Sequence, residues 1–430
     1  MEKIRSCRRI VVKFGGSSLA DHERLLKAAT SVVNEARQGA QVAVVVSAMG
    51  KTTDMLLSTA KNTSNGKLSK HELDDILSMG ERTSVRIFAA TLRTNGVESR
   101  YFDPHDSDWP IITDASFSNA NPLLDECRKR VNEYVLPLVE KGVVPVIAGF
   151  VGKTLEGKVT TLGRGGSDTT AFILAEALCA DEVILVTDAD GIMTGDPKIV
   201  SNPVRLREVD VTTLVGLADS GAKFIHRKAL KYKPAQINVR VINHAAGDLQ
   251  QEGTVITGAL PTELGVEMAH SAPVAAVTIV GQNISSDPSV IKELLEKANA
   301  HSQIVGMSMN QNSIILYSSE AANAEQLLRG LHSTVVQAPT TIAMAVKRNL
   351  AFLKVKGVGL EETHGIVGRI SEILRLNEVN IAGMLTITSS ILLFVEWEER
   401  EKALNLIGEA LRNSQQHITI QNRIHQEVKE

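Results

Sequence analysis

Unbroken apolar runs place the tightest constraint on this chain. Ile10–Phe14, Val42–Val46, Val143–Phe150, Val183–Thr187 and Val239–Asn243 are rich in Val and Ile without polar alternation. A strand that is apolar on both faces belongs in a sheet covered on both faces, and such sheets are mainly parallel. Amphipathic patterns lie between the runs. In the first, Leu25, Leu26, Ala29, Val32, Val33 and Ala36 form one helical stripe, and Gly39 is a plausible stop. This alternation predicts an α/β fold, a three-layer α-β-α sandwich with a mainly parallel sheet, over residues 1–265.

Beyond a linker near "TGALPTELG" the pattern changes. Two stretches, 266–346 and 347–430, each read as strand, helix, two strands, helix, strand. In the second, Ile366, Val367, Ile370, Ile373 and Leu374 share a helix side, and "HITIQNRI" is the last strand. The repeat predicts two ferredoxin-like βαββαβ units whose strands can interleave. A chain of 430 residues has room for two or three such domains.

Composition removes several classes. A net charge of -3 leaves no basic footprint for nucleic acid or an anionic membrane. The three cysteines are far apart and form no CxxC pair, which argues against a disulfide framework or a zinc site. That fits a reducing cytoplasm. The longest apolar runs are too short to span a bilayer.

Chemistry is concentrated at strand–helix junctions. Lys13-Phe14-Gly15-Gly16-Ser17-Ser18 puts a cation and a bare backbone before a helix pattern, an arrangement suited to a phosphate. It matches neither GxxxxGK[ST] nor GxGxxG. "TLGRGGSDTTA" repeats the device with Arg164, Gly165, Gly166, Ser167 and Asp168. A guanidinium grips a carboxylate at two points, whereas Asp168 can cap a helix or orient a lysine or metal. "VTDADGIMTGDP" follows a strand end, where ligands of open α/β sheets bind. In "SMGERTSVRIFAATL", Glu81 shares a stripe with Leu77, Val85, Phe88 and Leu92, where an unpaired charge is costly. Either Arg82 or Arg86 pairs with it, or it faces a ligand amine. "SGAKFIH" adds Lys223 after a glycine.

Together, "KFGGSS", "SMGERTS", "TLGRGGSDTTA", "VTDADGIMTGDP" and "SGAKFIH" resemble, in order and spacing, the aspartokinases of the amino-acid kinase family. The likeness spans the chain, because aspartokinases typically carry two C-terminal ACT domains of ferredoxin-like fold. The resemblance implies an ATP- and Mg²⁺-dependent phosphotransferase. It would phosphorylate the side-chain carboxylate of L-aspartate to 4-phospho-L-aspartate, the first step toward lysine, threonine and methionine. It also implies catalytic roles for Lys13, Asp168 and Lys223, with Asp168 organising Lys13. Aspartate would be held by Ser47, Glu81, Arg164, Gly165, Gly166 and Ser167. The nucleotide would be held by Lys13, Phe14, Gly15, Gly16, Ser17, Thr187, Asp188, Gly191, Ile192, Met193, Lys198, Lys223 and Phe224. No residue is singled out as a direct metal ligand. A homodimer, or a dimer of dimers, would form through the ACT domains, with lysine or threonine as effector.

The chain departs from the family pattern in places. Ser17 replaces a threonine, Met193 a tyrosine, Lys198 an arginine and Arg227 a proline, and Lys51-Thr52 also differ. Among the C-terminal units, "QIVGMSMNQNS" and His364-Gly365 depart from the usual effector-site patterns. Feedback regulation and dimerisation alone both remain readings of that half. Two other functions compete: a related kinase for another small acid, and an amino-acid sensor with an inactive kinase half.

Overall fold

Strand β1 (Arg9–Phe14) is buried along its length and pairs in parallel with β2 (Gln41–Val46). In this computed structural model the described residues are 7–196, 199–219, 225–260, 264–319, 324–357, 360, 365–387 and 390–412. They divide into two compact units, one ending at Leu260 and the other starting at Pro261.

The first unit runs from β1 through helix α1 (His22–Arg37), β2, α2 (Thr52–Thr63), α3 (Lys70–Thr94), β3 (Ser99–Phe102), α4 (Leu124–Arg130) and α5 (Leu136–Glu140). It continues through β4 (Val144–Ala148), a hairpin of β5 (Val151–Lys153) and β6 (Val159–Thr161), then α6 (Gly166–Leu178) and β7 (Glu182–Thr187). Its last elements are β8 (Glu208–Asp210), α7 (Val211–Asp219), α8 (Arg227–Leu230), β9 (Asn238–Asn243) and β10 (Thr254–Thr257). The sheet order is β3-β4-β2-β1-β7-β9-β10-β8. Only the β9–β10 pair is antiparallel. Because β1 lies between β2 and β7, the chain leaves it on one side and returns on the other. The loops diverge at that reversal and leave a crevice beyond the strands' carboxyl ends.

Two helices differ from the sequence expectation. In α1, Leu26 is exposed, while Ala28 takes the buried place and Glu35 is buried as well. One helical residue is a 100° turn, so Leu26 falls beside the stripe that Leu25, Ala29, Val32 and Val33 define. Helix α6 is more than a stripe: it is buried nearly all round, because the sheet covers one side and α4 and α8 pack elsewhere on it.

The second unit holds one antiparallel sheet of seven strands: β11 (Gly265–Met268), β12 (Val274–Gly281), β13 (Ile304–Asn310), β14 (Ser313–Ser319), β15 (Thr341–Lys356), β16 (Ile381–Ile387) and β17 (Ser390–Glu396). Its helices are α9 (Pro288–His301), α10 (Ala324–Gln337), α11 (Ile366–Leu376) and a segment over 400–412. β15 is continuous through position 346/347. Its first part pairs with β12 and its second with β17, and β11 reaches back to pair with the same far end. The expected strand at 417–424 lies outside the described residues.

Candidate active site

The parallel register aligns the ends of four strands. Phe14 sits opposite both Val46 and Val186, and Val46 opposite Ala148. Every loop that leaves these ends therefore emerges on one edge of the sheet.

The first loop is locked to its neighbours by its backbone. Gly15 N–H donates to Val186 O (3.1 Å), and Gly50 N–H donates to Gly16 O (2.9 Å). A Cβ on Gly16 would lie 2.8 Å from Ala48 O, so only glycine lets the β1 turn approach the loop after β2 this closely. Ser18 is buried and donates its hydroxyl to Val186 O (3.2 Å). Phe14 is a core residue whose ring lies 5.4 Å from that of Phe88, so only its backbone can face a ligand. Ser17 and Lys13 are half-buried.

The second loop is a tight turn ahead of α6. Gly165 adopts φ +73°, and a Cβ there would lie 2.6 Å from His226 Cβ. Both facts require glycine. The turn leaves Arg164 exposed, with no ion pair among the described residues. Gly166 and Ser167 are buried at the helix start, and Ser47 Oγ and Ser167 Oγ are 3.0 Å apart, joining the ends of β2 and α6. The helix's first turn also presents Asp168, whose Oδ1 lies 2.7 Å from Lys13 Nζ. Both side chains stay about 15% exposed, at 15% and 13%. Two turns that are 150 residues apart in sequence thus share one ion pair.

Glu81 lies on the buried side of α3, as its spacing predicts, and is 3% exposed. Its neighbours do not neutralise it. Arg82 and Arg86 both turn to Asp103, at 3.0 and 2.5 Å. Burial pushes Asp103 up, but the His105 N–H and these two guanidinium groups outweigh it and hold the carboxyl at about 2. Glu81 Oε1 accepts the Ala48 N–H (3.1 Å), and Oε2 is buried without a hydrogen-bond partner. Burial therefore raises the Glu81 carboxyl to about 7, against a lesser pull downward from Ala48 N–H.

The third loop follows β7. Thr187 Oγ1 donates to Asp188 Oδ1 (3.1 Å), and Asn243 Nδ2 donates to Asp190 Oδ1 (2.7 Å), which ties the loop to the end of β9. Ile192 N–H donates to Thr254 Oγ1 (2.8 Å), its C=O accepts from Leu206 N–H (2.8 Å) and its side chain is fully buried, so it holds the loop in shape. Gly191 precedes it, and Met193 forms an isolated bridge with Arg205. Lys198, Lys223 and Phe224 lie outside the described residues.

Sequence reasoning missed the residues that hold this edge together. Asp74 is fully buried on α3 and accepts from Ser118 N (2.7 Å), Ser118 Oγ (3.2 Å), Thr161 N (2.9 Å) and Thr161 Oγ1 (2.8 Å). A signal existed, since Asp74 precedes Glu81 by two helical turns on one stripe. Lys228 is buried in α8 with its ammonium among oxygens from distant loops. Nothing in its local sequence marks it.

The sheet reversal and the paired glycine turns define a class. Residues 8–243 match the amino acid kinase family, and the chain belongs to that family. Within it, relatives that match over most of this chain are aspartokinases. The chain is 32% identical over 378 residues to the aspartokinase of Geobacillus stearothermophilus, a match covering 85% of this chain and 88% of that one. The crystal structure of aspartate kinase from Synechocystis matches with a TM-score of 0.73 and 25% identity, over 94% of this chain and 69% of that chain. E. coli aspartokinase III, solved in complex with aspartate and ADP, shares the fold with a TM-score of 0.54 at 23% identity, over 94% of this chain and all of that one.

Proposed function

We infer that this protein is an aspartate kinase: a β-carboxylate oxygen of L-aspartate attacks the γ-phosphorus of ATP, the bond to ADP breaks, and 4-phospho-L-aspartate forms. The observation that carries this reading is the 2.7 Å contact of Lys13 with Asp168, which joins a turn suited to phosphate and a turn suited to a carboxylate. The acceptor is ionised at neutral pH, since a carboxylic acid of this kind has a pKa near ~4, so no general base is needed. The barrier is electrostatic, one anion approaching another. Lys13, held in place by Asp168, supplies positive charge where the transferring group sits.

The amino-acid head has two anchors. Arg164 takes the α-carboxylate in a two-point grip, beside Gly165, Gly166 and Ser167. Glu81 takes the α-ammonium, which gives its unpartnered Oε2 a counter-charge and favours its ionised form. Ser47 completes the pocket. Gly15, Gly16 and Ser17 face the phosphates, with Thr187, Asp188, Gly191, Ile192 and Met193 along the nucleotide. The family resemblance assigns Lys198, Lys223 and Phe224 to the nucleotide as well. Among the described residues no three His, Cys, Asp or Glu side chains converge on a metal-sized space. That suits Mg²⁺ arriving on the nucleotide phosphates with at most one or two carboxylates from the protein.

The second unit, on this reading, is two ACT-like halves, 266–346 and 347–430, with β11 lent to the second. They pair chains into a homodimer and take lysine or threonine as effector. No helix among the described residues is long and apolar enough to cross a membrane, and the three cysteines are free, which suits the cytoplasm.

Hydroxylamine trapping of the acyl phosphate tests the reaction. With ATP, Mg²⁺ and aspartate the hydroxamate should accumulate. Hydroxamate from glutamate alone would replace the substrate, and none from any acid would turn the reading to a sensor. Added L-lysine or L-threonine should lower the rate if the second unit is regulatory.

A further inference from the structure

Arg164 reaches solvent on a flexible stem, so the direction in which it presents its guanidinium depends on the backbone turn beneath it. That turn, residues 162–166, lies between two other segments. On one side is α8: His226 and Ala229 approach Gly165, and the missing Cβ would lie 2.6 Å from His226 Cβ and 3.4 Å from Ala229 Cβ. On the other side is the segment around Asn119, whose Oδ1 would lie 2.7 Å from a Cβ on Gly163. Lys228 bridges all three. Its Nζ donates to Asn119 Oδ1 (2.7 Å), Ala120 O (3.0 Å) and Leu162 O (2.7 Å), and the residue is only 8% exposed. The Asn119 segment is fastened in turn to α3, through Ser118 and Asp74, and α3 carries Glu81.

We propose that Lys228 is a positioning residue for the acceptor half of the site: its buried ammonium clamps the Leu162–Gly166 turn between α8 and the Asn119 segment and so fixes where Arg164 meets the substrate carboxylate. A buried ammonium needs its donors used. Three acceptors from two separate loops satisfy them only while those loops keep this spacing. The clamp therefore couples the turn that carries Arg164 to the helix that carries Glu81, and the separation of the two anchors becomes part of the fold. Misplacing a substrate-orienting group by about 1 Å can cost about a hundredfold in rate. This inference rests on the assignment of Arg164 to the acceptor's carboxylate.

Steady-state kinetics on the full chain test it with Lys228→Met, Lys228→Arg and Asn119→Ala. Lys228→Met should raise KM for aspartate about tenfold or more and leave KM for ATP within about twofold. Lys228→Arg, which keeps the charge and donors, should recover most of the loss. Asn119→Ala retains the ammonium and both carbonyls, and should give a smaller shift in the same direction. It decides the matter if Lys228→Met fails to fold. Equal rises in both KM values, or no rise in any variant, overturn the proposal. A second readout is amide hydrogen exchange over 162–168 in the ligand-free protein. Exchange there should quicken in the folded variants, and unchanged exchange overturns the clamp. If the wild-type chain makes no aspartyl hydroxamate, the functional reading fails in the wild type alone, whereas the exchange experiment still decides whether Lys228 holds the turn.

Discussion

The two units bury different kinds of side chain. Among the described residues, every charged residue buried as a whole lies in the first: Arg9, Glu35, Asp74, Glu81, Asp103, Asp108, Lys228 and Lys233. The polar groups buried in the second are hydroxyls, on Ser318, Ser319, Thr334, Thr341 and Ser390. Buried charge is costly unless paired or hydrogen-bonded; Arg9, Glu35, Asp103 and Asp108 have ion-pair partners, and Asp74, Lys228 and Lys233 are held by hydrogen bonds. Arg8 bridges Glu35 and Glu182 (3.4 and 2.6 Å), and Arg240 grips Glu182 at 2.7 Å, all at the strand ends away from the site. Among the described residues two buried carboxylate oxygens lack a hydrogen-bond partner, Glu81 Oε2 in the first unit and Glu399 Oε2 in the second; the latter has the Lys402 ammonium 3.4 Å away, whereas Glu81 has no such cation. In the second unit, helices cover one face of the sheet, and the other face folds onto itself around aromatic rings. Tyr317 and Phe394 stack at 3.7 Å, and Phe352 lies 4.8 Å from Phe394. The difference teaches that the first unit gives up stability to organise a charged ligand site, whereas the second is built for packing.

That contrast can be broken or sharpened by substitution. The largest effect should come from Lys13→Ala. Turnover should fall about 10⁴-fold, roughly 5 kcal/mol in the barrier, with the unfolding free energy within about 1 kcal/mol of wild type. Near-normal turnover of the purified variant would remove Lys13 from the chemistry. Phe394→Ala should do the reverse. Loss of a fully buried ring costs about 3–4 kcal/mol in denaturant unfolding, while KM for aspartate and ATP stays unchanged. A shift in either KM would dissolve the division of labour between the units.

Glu81→Gln sharpens the comparison through pH. Burial lifts this carboxyl from an ordinary 4.5 to about 7, so the folded state favours its protonated form. The stability this contributes is complete below about pH 4.5 and is lost as pH climbs through about 7. Glutamine carries no such dependence. Relative to wild type, the variant should gain up to about 3 kcal/mol between pH 4.5 and pH 8 in urea unfolding, and it should bind aspartate less well. Parallel pH profiles would mean that Glu81 is not held in a dry setting. The smallest effect should follow Arg375→Ala. Its pair with Glu372 on α11 is exposed and screened by water, so the urea unfolding curve should be indistinguishable from that of the wild type. A measurable loss would show that the second unit, too, relies on charge.

Much of this was legible in the chain itself, for reasons that can be named. The Val/Ile runs specify strands buried on both faces, and the period of α3 put Glu81 on the inner stripe. Glycines beside Lys13 and Arg164 marked the two turns, because backbone approach and positive φ leave a local trace. Leu26 was misread because an apolar residue one step off the stripe looks the same in sequence as one on it. The pairing of Arg82 and Arg86 was equally hidden. Proximity in sequence suggested Glu81, whereas helical geometry and the loop after β3 delivered Asp103.

By itself, then, the sequence determined the strands, the turns and the kinds of ligand they suit, since periodicity and glycine act within a few residues. Only the tertiary structure decided that Lys13 meets Asp168, that Glu81 keeps an oxygen unpartnered, and that Lys228 draws Asn119 and Leu162 together. These are contacts between segments tens to hundreds of residues apart. The first exists because parallel strands bring their carboxyl ends to one edge, the others because helices and loops from distant parts of the chain pack beside that edge, and no local pattern records which of them will meet there.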